Sequence, residues 1–233
     1  MPLPKIDMPT FEMVLPSSGD IIRYRPFTVK EEKILLIAQE GDDIKLSINS
    51  VKQVVNNCLI DVDADNFSMF DLEYILLLLR SKSVDNNVKF AIKDPDTDES
   101  IELELNLDDV KVTTSEGHTK QIKVNEEYTL FLKYPTINEF VEFVEGDGND
   151  PLVTYNIMIS CLDKVASEDE VHNFKDFPRE EIDNFMDDMS SDVLVNVKHF
   201  FDTMPKLRHE MPYVNKNGDD KVFVLEGMKS FFI

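Results

Sequence analysis

An α+β fold is what the sequence predicts: a helical domain with a small antiparallel β subdomain and terminal β-hairpins. Three observations carry this. The hydrophobic period is helical over 28–82, alternating over about 84–133, and helical again over 136–202. Short alternating stretches at 10–25 and 208–225 flank turn chemistry, Pro16-Ser-Ser-Gly19 and Asn217-Gly218. Hydrophobic residues at 42%, 16 Phe among them, supply a core for 233 residues even with 30% charged residues and no Trp, so disorder does not dominate. At roughly 150 residues per domain the length fits one large domain or two small ones. The changes of period place the boundaries at 1–83 (hairpin plus helices), 84–134 (antiparallel β subdomain) and 135–233 (helices, C-terminal hairpin and tail).

Each element has a local reason. Phe11, Met13 and Leu15 alternate with polar residues, the turn follows, and Ile22 and Tyr24 resume the alternation until Pro26 stops the strand. Thr28 and Glu31 have capping-box spacing, and Ile34, Leu35, Ile37 and Ala38 form a helical stripe that should end at Gly41. A second helix over about 44–59 places Ile48, Val51, Val54, Val55 and Cys58 on one face. A third, about 68–82, is so apolar that it must be core. Val88, Phe90 and Ile92, then Ile101, Leu103, Leu105 and Leu107, read as a hairpin around the acidic run 94–99, with further strands at 110–112, 121–124 and 128–133. Thr136 with Glu139 opens a helix that 146–151 ends, and 152–162 is another apolar helix. Ser167–Asp192 holds ten acidic residues against Lys175 and Arg179, with Ile182, Phe185, Met186 and Met189 turned to the core. Helix continues over 193–201 until Pro205, and a hairpin over 208–225 closes the fold. The two terminal hairpins are expected to pair with each other.

Composition excludes several function classes. With 24 Lys+Arg against 46 Asp+Glu the formal charge is −22, and phosphate neutralisation needs clustered cations that this chain lacks, so no nucleic-acid partner is expected. No window approaches 18 apolar residues and Met-Pro-Leu-Pro-Lys-Ile-Asp is not a signal peptide, so neither export nor membrane insertion is expected. Cys58 and Cys161 read as reduced buried thiols. Asp61-Val-Asp63-Ala-Asp65 and Asp94-Pro-Asp96-Thr-Asp98 invite a calcium reading. An EF-hand loop, however, needs Gly at its sixth position and Glu at its twelfth, where the two stretches have Asn66 and Leu72, Glu99 and Leu105. The four His are dispersed, no nucleophile elbow or glycine-rich phosphate loop occurs, and paired carboxylates carry no signal among 46 acids. The expectation is no catalytic residue, no metal, no cofactor and no enzyme.

What remains is surface. Arg23, Arg25 and Phe27, followed by Lys30 and Lys33, form the most basic stretch, read either as hairpin cations paired with nearby carboxylates or as a partner contact. Arg80 and Lys82 complement a helix C-terminus. Phe231 and Phe232, with Ile233 and Met228 at helical spacing, either pack back on their own domain or insert into a neighbour.

The order of short words along the chain resembles one family. A Leu-Pro-x-x-Gly hairpin leads to Arg23-Tyr-Arg-Pro-Phe-Thr-Val-Lys-Glu-Glu-Lys33, then Phe70-Asp-x-Glu-Tyr74, Leu79-Arg-Ser-Lys-Ser83, Leu107-Asp-Asp-Val110 and Lys133-Tyr-Pro-Thr136. Together they resemble the T4-type phage baseplate hub subunit and hub assembly family, best over 10–140. Some relatives have paired cysteines near 92–100, where this chain has Asp and Thr, so no metal role carries over. The resemblance implies a non-enzymatic, chaperone-like assembly protein of a contractile tail that binds hub or tape-measure proteins. A permanent virion subunit and a calcium- or ligand-binding module are the alternatives. It implies work in the host cytoplasm during assembly or a place in the virion baseplate, and leaves homo- or hetero-oligomer open. Arg23, Arg25, Phe27, Met228, Phe231 and Phe232 are the candidate partner-binding residues.

Overall fold

The computed structural model describes residues 7–39, 43–145 and 150–227. In chain order its elements are β1 (Phe11–Val14), β2 (Ile21–Tyr24), α1 (Val29–Gln39), α2 (Ile44–Cys58), β3 (Leu59–Ile60), α3 (Met69–Ser83), β4 (Asn87–Lys93), β5 (Ser100–Asn106), β6 (Lys111–Thr113), β7 (Gln121–Lys123), β8 (Thr129–Leu132), α4 (Ile137–Glu145), α5 (Pro151–Ser160), β9 (Leu162–Ala166), β10 (Val171–Asn173), α6 (Arg179–Asp187), α7 (Ser191–Asp202), β11 (Lys206–Val214) and β12 (Asp220–Glu226). The fold is α+β, with small antiparallel sheets among helices.

The chain divides into two compact units, one made of the chain up to Thr113 together with the segment from Lys206 on, the other Thr114–Pro205. In the first unit β1, β2 and β3 form one sheet, β4 and β5 a ribbon, and β12, β11 and β6 a third sheet. Helix α2 buries Ile48, Val51, Val54, Val55 and Cys58, the face its period predicts. Helix α3 is buried nearly all round, and Ser68 starts it with a reciprocal capping box: Asp71 N–H donates to Ser68 Oγ while Ser68 N–H donates back to Asp71 Oδ2. Leu77 joins Leu105, Leu107, Val110, Leu207, Met211 and Leu225 in a core against which Phe90 and Phe223 pack, their rings 6.1 Å apart.

The second unit is a four-stranded antiparallel sheet, β10-β9-β8-β7, with a core of Ile122, Leu130, Leu132, Val165, Phe174, Met186, Val193, Val197 and Phe200. Each fully buried Leu or Phe stabilises such a core by about 1.5–3 kcal/mol.

Three expectations are corrected. The strands between 84 and 134 do not form one sheet. β6 pairs with β11, Leu207 opposite Val112, whereas β7 and β8 pair with β9 around a different core. Alternation marks a strand but not its partner, and the partner is chosen by which core the apolar face completes. Nor do the terminal hairpins pair: β1–β2 continues into β3, and β11–β12 continues into β6. Strand β9 lies where a helix was expected to end. Its register on β8 shifts between Phe131 and Leu132, Phe131 facing Lys164 and Leu132 facing Leu162, so Asp163 bulges outward. That bulge puts Leu162 and Val165 on the same face at a three-residue spacing that imitates a helix.

Candidate partner-binding surface

The basic stretch folds as a joint. Phe27 N–H donates to Ser83 Oγ (2.9 Å), whose hydroxyl in turn donates to Leu79 O, so the strand leaving β2 is tied to the end of α3. Arg25 sits half-buried, and its guanidinium donates to Pro26 O (2.9 Å), Asn57 O (2.8 Å) and Glu31 Oε1 (3.2 Å). Glu31 is 2% exposed and also accepts from the N–H (2.8 Å) and hydroxyl (2.5 Å) of Thr28. Burial alone would raise its pKa, but the Thr28 donors and the Arg25 guanidinium outweigh burial and hold it at about 2. Arg23, more exposed, pairs with Asp61. Of the predicted contact residues, Arg25 is therefore engaged internally, Arg23 faces solvent in an ion pair, and Phe27 is half-buried. Met228, Phe231 and Phe232 lie outside the described residues.

The acidic runs also fold as joints. Asp94 is 1% exposed, and its Oδ1 accepts from Asp96 N–H (3.1 Å), Thr97 N–H (2.9 Å) and the Thr97 hydroxyl. Its Oδ2 accepts from the Tyr213 hydroxyl (2.8 Å), and Lys221 pairs with Asp96 and Lys216 with Glu99. The β4–β5 loop is thereby fastened to the β11–β12 hairpin. Burial opposes ionisation of Asp94, yet these donors win and lower its pKa. In the other run Asp61 takes a left-handed conformation (φ 65°) and Asp65 pairs with Lys52. Among the described residues no three His, Cys, Asp or Glu side chains are grouped to hold a metal ion.

Reactive chemistry is equally damped. Burial is the leading cause that pushes the Cys58 thiol up to about 11 and the Cys161 thiol up to about 12, so neither is a thiolate near neutrality. In the second unit the rings of His118, Tyr134 and Phe200 form a triangle, His118 lying 5.8 Å from Tyr134 and 5.3 Å from Phe200, with Tyr134 and Phe200 5.7 Å apart. Thr203 uses its hydroxyl proton on His199 O (2.6 Å), so His118 Nδ1–H donates to Thr203 Oγ1 (3.0 Å) and Nε2 accepts from the Tyr134 hydroxyl (3.0 Å). Burial first, then the charge of Lys120 and of His199, lowers the His118 pKa, so the ring is a neutral structural link.

Among the described residues two exposed apolar surfaces stand beside other exposed aliphatics, such as the cross-strand pair Val14 and Ile21. At one end of the α1–α2 pair Leu36, Ile37, Ile44 and Leu46 face solvent. Ser47 Oγ donates to Ala38 O (3.3 Å), which sets the first turn of α2 against the last turn of α1 and brings these side chains to one end. In the second unit a groove of about 330 Å³ is lined by Tyr128, His172, Phe174, Phe177, Ile182 and Phe185, with Glu181 among its walls. Sequence reading turned Ile182 and Phe185 toward the core and passed over Phe174 and Phe177. The signal was present: two aromatics on either side of Lys175-Asp176, just before Pro178 and within a segment of ten acids, have no amphipathic helix to join.

Both surfaces present apolar side chains to solvent, and the groove adds the polar groups of His172 and Glu181. Among the described residues no helix is long and apolar enough to cross a membrane. No curated protein and no solved structure matches the chain. The model of the family described as T4 bacteriophage base plate protein matches residues 8–233. The chain belongs to that family, and its role is a structural or assembly one in the phage tail baseplate, among other baseplate proteins.

Proposed function

We propose that this baseplate protein is a non-enzymatic hub assembly factor that binds hub or tape-measure proteins and holds them ready for assembly. The observation that carries the reading is an acidic exterior, −22 over the chain, interrupted by aliphatic side chains presented to solvent: Leu36 and Ile37 are 55% and 68% exposed. Like charge suppresses self-association and draws in partners with basic faces, while apolar side chains supply the contact energy. Arg23 and Phe27, with Met228, Phe231 and Phe232, belong to this contact in our reading. Arg25 serves it by fixing the Phe27 segment.

The test uses purified hub and tape-measure proteins, with capture measured for the wild type, for the double variant Leu36→Ser/Ile37→Ser, and for a chain lacking residues 228–233. Both altered side chains are exposed, so the fold is spared. The reading expects capture to weaken by about tenfold in the double variant and association to slow as salt rises. Capture indifferent to all three changes refutes this contact mode. Crosslinking in infected lysate identifies the partners directly. Mass spectrometry of purified particles separates a factor that leaves, expected here, from a subunit that stays.

A further inference from the structure

We propose that the aromatic groove of the second unit is a docking site for a lysine- or arginine-rich segment of a partner protein that carries one aromatic or large aliphatic anchor. The proposal rests on the reading above, that the chain works by binding other proteins of the baseplate, and it names the chemistry of one such segment.

Shape sets the anchor. The groove lies where β10, the turn at 174–176 and α6 meet Tyr128. Phe174 forms the floor at 7% exposed, with Phe185 tilted against it (5.6 Å), and Phe177 stands at the mouth at 38% exposed with His172 tilted against it (6.1 Å). Its volume of about 330 Å³ is near the lower end of the range of about 300–1,000 Å³ for small-ligand sites. One large side chain fills such a space; a helix face does not fit it. Ring faces and edges on several sides favour an aromatic or long aliphatic group.

Charge sets the rest of the segment. From Ser167 to Asp192 ten carboxylates stand against two cations, a net −8. One of those cations, Arg179, is engaged by Asp183 Oδ1 (2.7 Å) and Asn156 Oδ1 (2.8 Å). Glu181 lines the groove and Glu170 lies 2.9 Å from His172 Nε2 at the same mouth. A nucleic acid, an anionic membrane or a second copy of this chain, itself at −22, would meet like charge here. A cationic segment gains attraction on approach and burial on arrival, and its flanking Lys or Arg can lie over the faces of Phe177 and Tyr128.

The chain has no Trp, so a peptide with a single Trp reports its own burial. The probe is Ac-Lys-Arg-Gly-Trp-Gly-Arg-Lys-amide, titrated with the full-length protein while Trp emission is followed. An acidic analogue, Ac-Glu-Asp-Gly-Trp-Gly-Asp-Glu-amide, and a basic analogue with Ala in place of Trp, tested by competition, are the controls. Saturable binding with a blue shift is expected, weakening by about tenfold between about 50 and about 300 mM salt. Phe177→Ser should abolish the blue shift, and Glu181→Lys, an exposed change that leaves the fold intact, should lower affinity by about tenfold. Equal binding of the acidic analogue, equal competition by the Ala analogue, or wild-type affinity in Glu181→Lys with far-UV dichroism unchanged would each overturn the proposal. Capture of purified hub proteins by the same variants separates the two ideas. Undiminished hub capture with no peptide binding overturns the groove alone. Peptide binding without hub capture by the wild type overturns the hub reading and leaves the groove standing.

Discussion

Glu31→Gln should destabilise the first unit by about 1–2 kcal/mol at neutral pH, and the loss should shrink as the solution is acidified. The carboxylate sits 2% exposed under two donors from Thr28 and the Arg25 guanidinium, and its pKa falls from 4.5 to about 2. A depression of that size corresponds to about 3 kcal/mol. Arg25 is 27% exposed, so solvent screening brings the expectation down to about 1–2 kcal/mol. The native state holds this carboxyl ionised more strongly than the unfolded chain does. Its contribution is therefore complete above about pH 4.5, diminishes below that, and is lost as pH falls through about 2; by pH 3 about half has gone. Gln keeps the shape and still accepts from Thr28, but its amide confronts the guanidinium. Because the chain has two units, a whole-chain melt mixes their transitions, so the readout should be local: amide exchange at Phe27 and Thr28 and through α1, in wild type and variant, at pH 7 and pH 3. A deficit at pH 7 below about 0.5 kcal/mol, or one that does not shrink by pH 3, refutes the assignment of Glu31 as an ionised clasp.

Three further outcomes follow from the geometry. Phe200→Ala removes a ring 1% exposed and stacked on both His118 and Tyr134, and should cost the second unit about 3–5 kcal/mol, visible by urea titration or amide exchange. His118 has a lowered pKa in the fold, so the second unit should be fully stable above about pH 6.5, the ordinary histidine value, and lose stability as pH falls below it. His118→Gln should flatten that slope between about pH 7 and 5, and an unchanged slope would place the titrating group elsewhere. With pKa values pushed up to about 11 and about 12, Cys58 and Cys161 should react with a disulfide reagent at pH 8 only as fast as the native state opens. Immediate labelling in native buffer would contradict their burial.

Helices were legible wherever one face was buried along their whole length. In α2 the five buried side chains repeat at helical spacing, and nothing tertiary is needed to see them. The hairpins were legible because turn and alternation lie within a few residues, and Gly218 at φ 86° supplies the conformation that Asn217-Gly218 announces. Sheet membership was not legible. Val112 and Ile122 look alike in sequence, yet Val112 joins a core with the sequence-distant Leu207 while Ile122 joins the core of Leu130, Val165 and Phe200. β9 was hidden by its bulge at Asp163. The groove was hidden because its aromatics come from a loop, a short strand and one turn of α6, so no single period joins them.

The residues that carry the family resemblance also say where contacts should be sought. Arg25 ties β2 to the end of α2 through Asn57 O. Asp71 accepts from Ser17 N–H (3.0 Å) and so fastens the first hairpin to α3, and Ser83 accepts from Phe27 N–H. Leu107 and Val110 are core, and Tyr134 is locked to His118. The residues just named are buried or bonded inward and specify architecture, while Arg23, 52% exposed in its pair with Asp61, and the half-buried Phe27 are the parts of these words left to the proposed contact. The other candidates are exposed apolar side chains, among them Leu36 and Ile37 on α1, Ile44 and Leu46 on α2 and Phe177 at the mouth of the groove. In the reading proposed above, this exposure serves association. A chain with Leu36, Ile37 and Phe177 replaced by Ser should still fold, since none of the three is buried, and should fail to assemble. Loss of folding in that chain would show the three residues to be structural and would remove the basis for reading them as contacts.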